Sequence, residues 1–177
     1  MKTLCVFCGS SLGFKPEFSE LAQNLGLRMA KRRIKLVYGG AKVGLMGVLA
    51  DAVLQNGGIV TGVIPEFLIK AEVVHSSLTE IIVVDTMHER KETMYRLSDG
   101  FVAIPGGFGT LDEVIEVVTW RLLGLHKKPV AMLSHNHYWE TFSALIEHVV
   151  KQGFAMREAR ELFTIHDDVD QAIDIIK

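Results

Sequence analysis

The stretch Pro105-Gly106-Gly107-Phe108-Gly109-Thr110-Leu111-Asp112-Glu113 decides how this chain folds. It follows a short apolar run at 101–104, which predicts a buried strand. It leads into residues 111–123, whose apolar side chains at 111, 115, 118 and 122 have the spacing of a helix. A glycine-rich turn therefore joins a strand to a helix. Glycines let the backbone come close to a ligand, and the free N–H groups at a helix start favour an anion such as phosphate.

The same turn allows a structural interpretation. It lacks the GK[ST] ending of an ATP-binding P-loop, and it is not the dinucleotide-binding GxGxxG. Thr110-x-x-Glu113 has the pattern of a capping box, in which both side chains satisfy the first N–H groups of a helix. The box alone favours a cap, whereas three glycines exceed what a cap requires and favour a ligand site.

On both sides of this turn, apolar runs alternate with segments of helical spacing. Strands are predicted at 3–9, 36–38, 59–64, 81–84, 101–104, 130–133 and 162–165. Helices are predicted at 16–33, 44–56, 86–98, 111–123, 137–152 and 169–176, and a loop with a short helix at 66–79. Continuous apolar strands alternating with helices are typical of a parallel sheet covered on both faces. The sequence therefore predicts an α/β protein, Rossmann-like and doubly wound, with residues 1–177 as a single nucleotide-binding domain.

Composition excludes several classes of protein. The chain has 177 residues, of which 49% are hydrophobic, and a net charge of −2. This charge predicts no surface for nucleic acid. The apolar start is too short for a signal peptide, and no apolar run approaches the ~18 residues of a membrane span. We therefore expect a cytoplasmic protein that binds neither nucleic acid nor a membrane.

The two cysteines, Cys5 and Cys8, form a CxxC pattern. They lie in a predicted strand, where residues three apart point to opposite faces. A zinc site would need two more ligands, and the sequence has no second CxxC. The pattern is interpreted as two buried free thiols, as expected in a reducing compartment.

Three predicted strands are followed by small residues. Gly9-Ser10-Ser11 follows the first strand, Gly39-Gly40 the second, and the glycine-rich turn the fifth. Ligands of open parallel sheets bind at the carboxyl ends of strands, near the switch in strand order. We expect the three turns to converge on one crevice, which makes Gly9, Ser10, Gly39 and Gly40 candidate binding residues.

Arg90 is informative through its position on the predicted helix 86–98. It lies on the same stripe as Met87, Met94 and Leu97, which should face inward. A buried guanidinium needs an anion. Position alone leaves open a structural ion pair, a head that reaches water, or a side chain that grips a phosphate or a catalytic carboxylate. Lys91, its neighbour, is by position a solvated lysine.

Other candidate side chains are weaker. His135 and His137 form HxH in a predicted loop, and without further ligands we interpret them as solvated and predict no metal site. Phe108, within the turn, is a candidate to stack on a purine. Trp120 is better explained as a core or interface residue.

Together these motifs resemble those of the LOG family, the cytokinin riboside 5'-monophosphate phosphoribohydrolases, many of which carry the older label "possible lysine decarboxylase". PGGFGTLDE at 105–113 matches the family's PGGxGTxxE, and Met87-His88-Glu89-Arg90-Lys91 is similar to its MHxRK. The resemblance runs from about residue 4 to about residue 150. It also includes Cys8-Gly9-Ser10-Ser11, Tyr38-Gly39-Gly40, Thr119-Trp120, Leu123-Gly124 and Lys128-Pro129-Val130.

The resemblance implies hydrolysis of the N-glycosidic bond of a cytokinin riboside 5'-monophosphate, or of AMP, without a cofactor. It implies Arg90 and Glu113 as the catalytic pair. Asp112 stands where many relatives have glutamate. The implied nucleotide contacts are Glu80, Arg90, Lys91, Gly106, Gly107, Phe108, Gly109, Thr110, Glu113 and Thr119.

Assembly is the last expectation. The predicted helix 111–123 has one apolar strip at 111, 115, 118 and 122 and a second at 114 and 117. One strip can face the sheet and the other a partner subunit, although another part of the same chain could also cover it. The most common assembly is a twofold dimer, and the resemblance separately implies a homodimer.

Three other functions remain to be weighed. A non-catalytic nucleotide or molybdenum-cofactor carrier would use the same crevice. A dinucleotide-dependent oxidoreductase is disfavoured because the first turn lacks GxGxxG. A lysine decarboxylase is disfavoured because no lysine is identified as pyridoxal-binding. The sequence leaves open whether the base must carry an N6 side chain.

Overall fold

The chain folds around one parallel β-sheet. A computed structural model describes residues 1–70 and 73–177, and within them seven strands pair in the order β4-β3-β2-β1-β5-β6-β7, all parallel. The strands are β1 (Thr3–Phe7), β2 (Lys35–Tyr38), β3 (Val60–Pro65), β4 (Glu80–Val84), β5 (Gly100–Ala103), β6 (Val130–Leu133) and β7 (Thr164–His166). The predicted α/β class and doubly wound sheet are confirmed.

Strand order creates a crevice beside β1. The chain builds the sheet outward from β1 to β4, then returns to place β5 on the other side of β1. In β1, Leu4 aligns with Leu36 of β2 on one side and with Gly100 of β5 on the other. The connections after β1 and β5 therefore leave in opposite directions, and a ligand site is expected between them at the carboxyl ends of the strands.

Helices cover both faces of the sheet. They are α1 (Pro16–Lys31), α2 (Gly44–Gln55), α3 (Glu66–Lys70), α4 (Met87–Leu97), α5 (Phe108–Leu122), α6 (Glu140–Lys151) and α7 (Val169–Ile173), with 3₁₀ turns at Arg157–Glu161 and Asp174–Ile176. Alternation along β1 separates two apolar cores, because successive side chains of a strand point to opposite faces. Leu4 and Val6 pack with α1, α2 and α7, whereas Cys5 and Phe7 pack with α4, α5 and α6.

Several predicted boundaries shift. β1 ends at Phe7 instead of residue 9, and β7 is displaced toward His166. α6 begins at Glu140 instead of His137, because Asn136 (φ 50°) and His137 (φ 61°) adopt left-handed conformations that cannot continue a helix. The predicted short helix within 66–79 is α3, and residues 71–72 of that segment lie outside the described residues.

Two further expectations concern cysteines and membranes. Cys5 and Cys8 are buried free thiols, as the sequence predicts. Across residues 1–70 and 73–177, none of the helices combines the length and the apolar character that a membrane crossing requires.

Candidate active site

The glycine-rich turn ends in a helix start that no side chain caps. α5 begins at Phe108 with Gly107 as its N-cap, and no side-chain hydrogen bond caps it in the described part of the chain. The predicted start at Leu111 is wrong. The structural alternative, a Thr110–Glu113 capping box, is also wrong, since both residues lie inside the helix. The first N–H groups of a helix have no intrahelical acceptor. They are therefore left available to an anion in front of α5.

The turns after β1 and β5 pack tightly against each other. The Gly9 N–H donates to the Pro105 carbonyl oxygen at 3.1 Å. A Cβ on Gly106 would lie 2.7 Å from the Gly9 nitrogen and 2.1 Å from Thr110 Oγ1. Glycine is thus required at 106 for close packing of backbone on backbone. Gly9 and Gly106 support the wall of the site from behind.

A cleft of about 300 Å³ opens where these turns meet. Eight of the residues predicted from the sequence lie on its wall, and they come from the turns after β1, β2 and β5 and from α4 and α5. They are Ser10, Gly39, Arg90, Gly107, Phe108, Gly109, Thr110 and Glu113. The structure therefore brings together most of the segments that the motifs single out.

The remainder of the cleft is mostly apolar, and sequence analysis missed it. These residues belong to strand ends, to the start of α2 and to the connections after β2 and β3, and Asp112 adds a carboxylate. They are Val6, Cys8, Ala41, Val43, Met46, Ile64, Leu68, Val73 and Met87. Isolated apolar residues in such segments look like ordinary core, so their type and spacing gave no signal. The cleft thus has a polar end at α5 and an apolar wall opposite.

Arg90 is buried and held by backbone carbonyls. Its Nε donates to the Val63 oxygen at 3.1 Å and its Nη2 to the Gly39 oxygen at 3.0 Å, while Nη1 lies 3.7 Å from Met87 Sδ. None of these partners, in the part of the chain described, is a carboxylate. A guanidinium has five N–H donors, so these bonds fix its direction and leave donors for a ligand in the cleft.

The observed position of the Arg90 guanidinium requires glycine at residue 39. A Cβ at position 39 would lie 1.9 Å from Arg90 Nη2, so any larger residue would displace the guanidinium. The next residue, Gly40, has φ +77° and packs over the Gly62 backbone without lining the cleft. The Gly39-Gly40 pair therefore serves to seat Arg90 and to turn the chain.

Glu113 lies on the cleft wall, one and a half turns into α5. Burial of its carboxyl raises its pKa from 4.5 to about 7, because a charge is poorly solvated there. The positive charge of Arg90 acts in the opposite direction and limits the rise. Near neutral pH the side chain can therefore hold or release a proton, beside a cation that is always charged.

Lys91, expected from the resemblance to contact the nucleotide, is engaged elsewhere. Its Nζ lies 3.0 Å from Asp112 Oδ2 and 3.1 Å from Glu116 Oε1. Desolvation lowers the pKa of Lys91, but the bonds to the two carboxylates outweigh it, so the pKa is raised overall. The lysine does not line the cleft. It ties α4 to α5, the two helices that carry Arg90 and Glu113.

Two further expected contacts are not brought to the cleft of this chain. Glu80 begins β4, at the end of the sheet opposite the cleft, where its carboxylate accepts a hydrogen bond from Thr61 Oγ1 at 3.1 Å. Thr119 lies on an exposed face of α5, eleven residues after Phe108. At ~1.5 Å per residue this is about 16 Å from the start of the helix.

Most of the chain matches known proteins. The family model described as "possible lysine decarboxylase" matches residues 46–176. The chain is 45% identical to a cytokinin riboside 5'-monophosphate phosphoribohydrolase of Rhodococcoides fascians, over 99% of this chain and 89% of the relative. It is 46% identical to the enzyme of the same name, LOG7, of Arabidopsis thaliana, over 91% of this chain and 74% of the relative.

Solved structures share the fold at lower identity. The molybdenum cofactor binding protein of the phototrophic bacterium Rippkaea orientalis superposes with a TM-score of 0.72 at 23% identity. The match covers 99% of this chain and 96% of that one. At this identity the likeness concerns the fold alone.

Proposed function

The chain belongs to the possible lysine decarboxylase family, and because its curated relatives are named as phosphoribohydrolases, we propose that it hydrolyses the N-glycosidic bond of a cytokinin riboside 5'-monophosphate. The products are the free base and ribose 5-phosphate. The observation that carries the proposal is that Arg90 and Glu113 face one cleft, next to an uncapped helix start. This site has an anion-binding end and a titratable carboxyl.

The phosphate binds at the start of α5. The N–H groups of the first turn and the positive end of the helix dipole favour an anion. Neither Gly107 nor Gly109 has a described atom within 4 Å of the position that a Cβ would occupy, so the space in front of the turn is open. Arg90 directs its remaining N–H donors into the same cleft. Binding a group remote from the reacting bond fixes the position of the ribose.

Glu113 acts at the glycosidic carbon. Breaking the bond between C1' and the base nitrogen gives C1' oxocarbenium character, which a nearby carboxylate stabilises. In its ionised form Glu113 takes a proton from the water that attacks C1', and that proton is then available to the departing base. A pKa of about 7 suits both directions of transfer near neutral pH.

The apolar wall is where the base is expected to lie. Met46, Leu68 and Val73 provide a surface on which a purine with or without an N6 side chain can pack. AMP is therefore proposed as an additional substrate. Phe108, which is almost fully exposed at the mouth of the cleft, is placed to cover the bound base.

The test is incubation with AMP and with N6-isopentenyl-AMP, followed by chromatography of the free base. Both monophosphates should release base, and the corresponding nucleosides should react far more slowly. Equal turnover of nucleoside and monophosphate would remove the phosphate from the proposal. Tight binding of the monophosphates without release of base would instead support a carrier function.

We also propose that the protein forms a homodimer through α5. Val114 and Val117 are buried against the sheet, whereas Ile115 and Leu122 on the other strip are 49% and 50% exposed. Leu123 and Leu125 extend this exposed apolar surface. Light scattering at micromolar concentration should give twice the chain mass, and Ile115→Glu should lower it. A monomer mass for the wild-type protein would refute the dimer.

A further inference from the structure

Tyr138 contacts the glycine-rich turn from outside the cleft. Its hydroxyl donates a hydrogen bond to the Gly106 carbonyl oxygen at 2.5 Å. Tyr138 belongs to the connection between β6 and α6, and it does not line the cleft that holds Arg90 and Glu113. It lines a smaller cavity on the other side of the turn, and Gly107 lies on the walls of both.

The backbone that presents Tyr138 is held in an unusual conformation. Asn136 and His137, the two residues before it, both have positive φ, at 50° and 61°. Such conformations are uncommon outside glycine and persist where the surroundings enforce them. Trp139, the residue after it, is 1% exposed and anchors the connection in the core. The Tyr138 ring also meets Phe18 edge to face, with ring centroids 5.9 Å apart. The hydroxyl is therefore held in one position.

The hydrogen bond from Tyr138 to the Gly106 carbonyl oxygen also affects the Gly107 N–H, because both groups belong to the same peptide. In a trans peptide the C=O and the following N–H point in opposite directions. Fixing the Gly106 oxygen toward Tyr138 therefore directs the Gly107 N–H away from Tyr138, toward the cleft. Packing against Gly9 and Thr110 fixes the Gly106 Cα, but a peptide between two glycines can still rotate at little steric cost. A rotated peptide would present its carbonyl oxygen to the cleft and repel an anion.

We propose that Tyr138 is a positioning residue that locks the Gly106–Gly107 peptide so that the Gly107 N–H faces the substrate phosphate. This inference rests on the proposed function, in which the turn binds the 5'-phosphate. Tyr138 contacts neither the substrate nor the reacting atoms. Its effect passes through the orientation of one peptide group, so it should be confined to ligands that carry the phosphate.

Tyr138→Phe removes the hydroxyl and keeps the ring against Phe18. Calorimetry should show ribose 5-phosphate binding weakened by about tenfold, the scale of one hydrogen bond. Adenosine, which has no phosphate, should bind the variant and the wild-type protein equally. With the monophosphate substrate, the loss should appear mainly as a higher KM with kcat nearly unchanged. Tyr95→Phe, whose ring packs between Phe101 and Trp120, is the matched control and should leave all of these quantities unchanged.

The outcomes separate this inference from the function on which it rests. If the wild-type protein binds no ribose 5-phosphate, the phosphate assignment of the turn fails and the role of Tyr138 fails with it. If the wild-type protein binds it and Tyr138→Phe binds it equally well, the role of Tyr138 alone is overturned. Equal weakening of ribose 5-phosphate and adenosine would also overturn it, because a general structural effect does not distinguish ligands with and without phosphate.

Discussion

The pattern Thr-x-x-Glu occurs near the start of two neighbouring helices, α4 and α5, but it caps only α4. At α4, Thr86-x-x-Glu89 forms a cap: Thr86 Oγ1 accepts from the Glu89 N–H at 3.1 Å, and Glu89 Oε2 accepts from the Asp85 N–H at 2.9 Å. At α5, Thr110-x-x-Glu113 lies inside the helix, which begins at Phe108 behind a glycine N-cap. Thr110 is buried beside Gly106, and Glu113 faces the cleft.

The difference lies in what satisfies the first N–H groups. At α4 the Thr86 side chain accepts from one of these groups, the Glu89 N–H, and Glu89 in turn accepts from the Asp85 N–H just before the helix. Glycine at the N-cap of α5 has no side chain to offer, and the start of that helix stays available to an anion. A glutamate released from capping can then take part in chemistry. The two helices thus separate a structural use of the pattern from the proposed catalytic one.

Exchanging Glu113 or Glu89 for glutamine should give the largest difference in activity between the two helix starts. Glu113→Gln keeps the size of the side chain but removes the carboxylate, so hydrolysis of AMP should fall by ~10²-fold or more, the scale of losing one preorganised electrostatic group. Binding of AMP should change much less, since the charge is needed mainly in the transition state. Single-turnover rates and calorimetry measure the two effects separately.

Glu89→Gln is the matched control on α4. Glutamine also serves in a capping box, so the variant should keep its activity. Near-wild-type hydrolysis by Glu113→Gln would remove Glu113 from the proposed mechanism.

The sequence alone was sufficient for the fold and for the polar end of the cleft, but not for its apolar wall. Continuous apolar strands and glycines at strand ends reflect burial and close backbone approach, which local residue types encode directly. Spacing alone predicted that Arg90 lies on an inward stripe, and the structure buries Arg90 and Met94. The two ends of that stripe, Met87 and Leu97, are exposed instead. The partners of Arg90, the Val63 and Gly39 carbonyls, could not be predicted, because backbone acceptors carry no signature in residue type.

The start of α5 was mispredicted for a related reason. Capping-box statistics describe side chains that satisfy N–H groups, whereas a site that binds an anion leaves those groups unsatisfied by the chain. The sequence pattern is the same in both cases. The contact of Tyr138 with Gly106 could not be predicted, because it joins residues 32 positions apart. The positive φ values in the connection before Tyr138 leave no periodic pattern in the sequence.

Gly39→Ala should test the role of the Arg90 guanidinium, the positive charge of the site. The new Cβ would overlap Arg90 Nη2 and displace the guanidinium, so kcat/KM should fall roughly 10- to 100-fold, the range for losing a hydrogen bond to a charged group. If Gly39 acts through Arg90, Gly39→Ala added to Arg90→Ala should cause little further loss. Additive losses in this double-mutant cycle would mean that Gly39 has a separate role.

The stability of the protein should depend on pH through Glu113. Because folding raises the pKa of Glu113 above 4.5 to about 7, its protonated form is favoured in the folded state. The stabilisation it contributes is complete below pH 4.5 and is lost as pH rises through 7. At pH 8, Glu113→Gln should therefore be more stable than the wild-type protein, by on the order of 3 kcal/mol, with no such gain at pH 4.5.

Activity should increase with pH, whereas the stability contributed by Glu113 decreases. If Glu113 acts as the carboxylate, kcat/KM of the wild-type enzyme should rise with pH through about 7. Denaturant unfolding and initial rates across pH 5 to 9 measure the two effects. A flat activity profile across this range would contradict the assignment of Glu113.

The smallest effect should come from the cap itself. Thr86→Ala removes the oxygen that accepts from the Glu89 N–H, and loss of an N-cap costs about 1 kcal/mol. In a chain of this size, that corresponds to a fall in Tm of about 2–4 °C. Activity should stay within about twofold, because the two backbone carbonyls that hold Arg90 do not depend on the cap. Thr86→Ser keeps the oxygen and should restore the Tm. If Thr86→Ala instead lowers activity as much as Gly39→Ala, the start of α4 takes part in positioning Arg90, and the separation between the structural and catalytic helix starts fails.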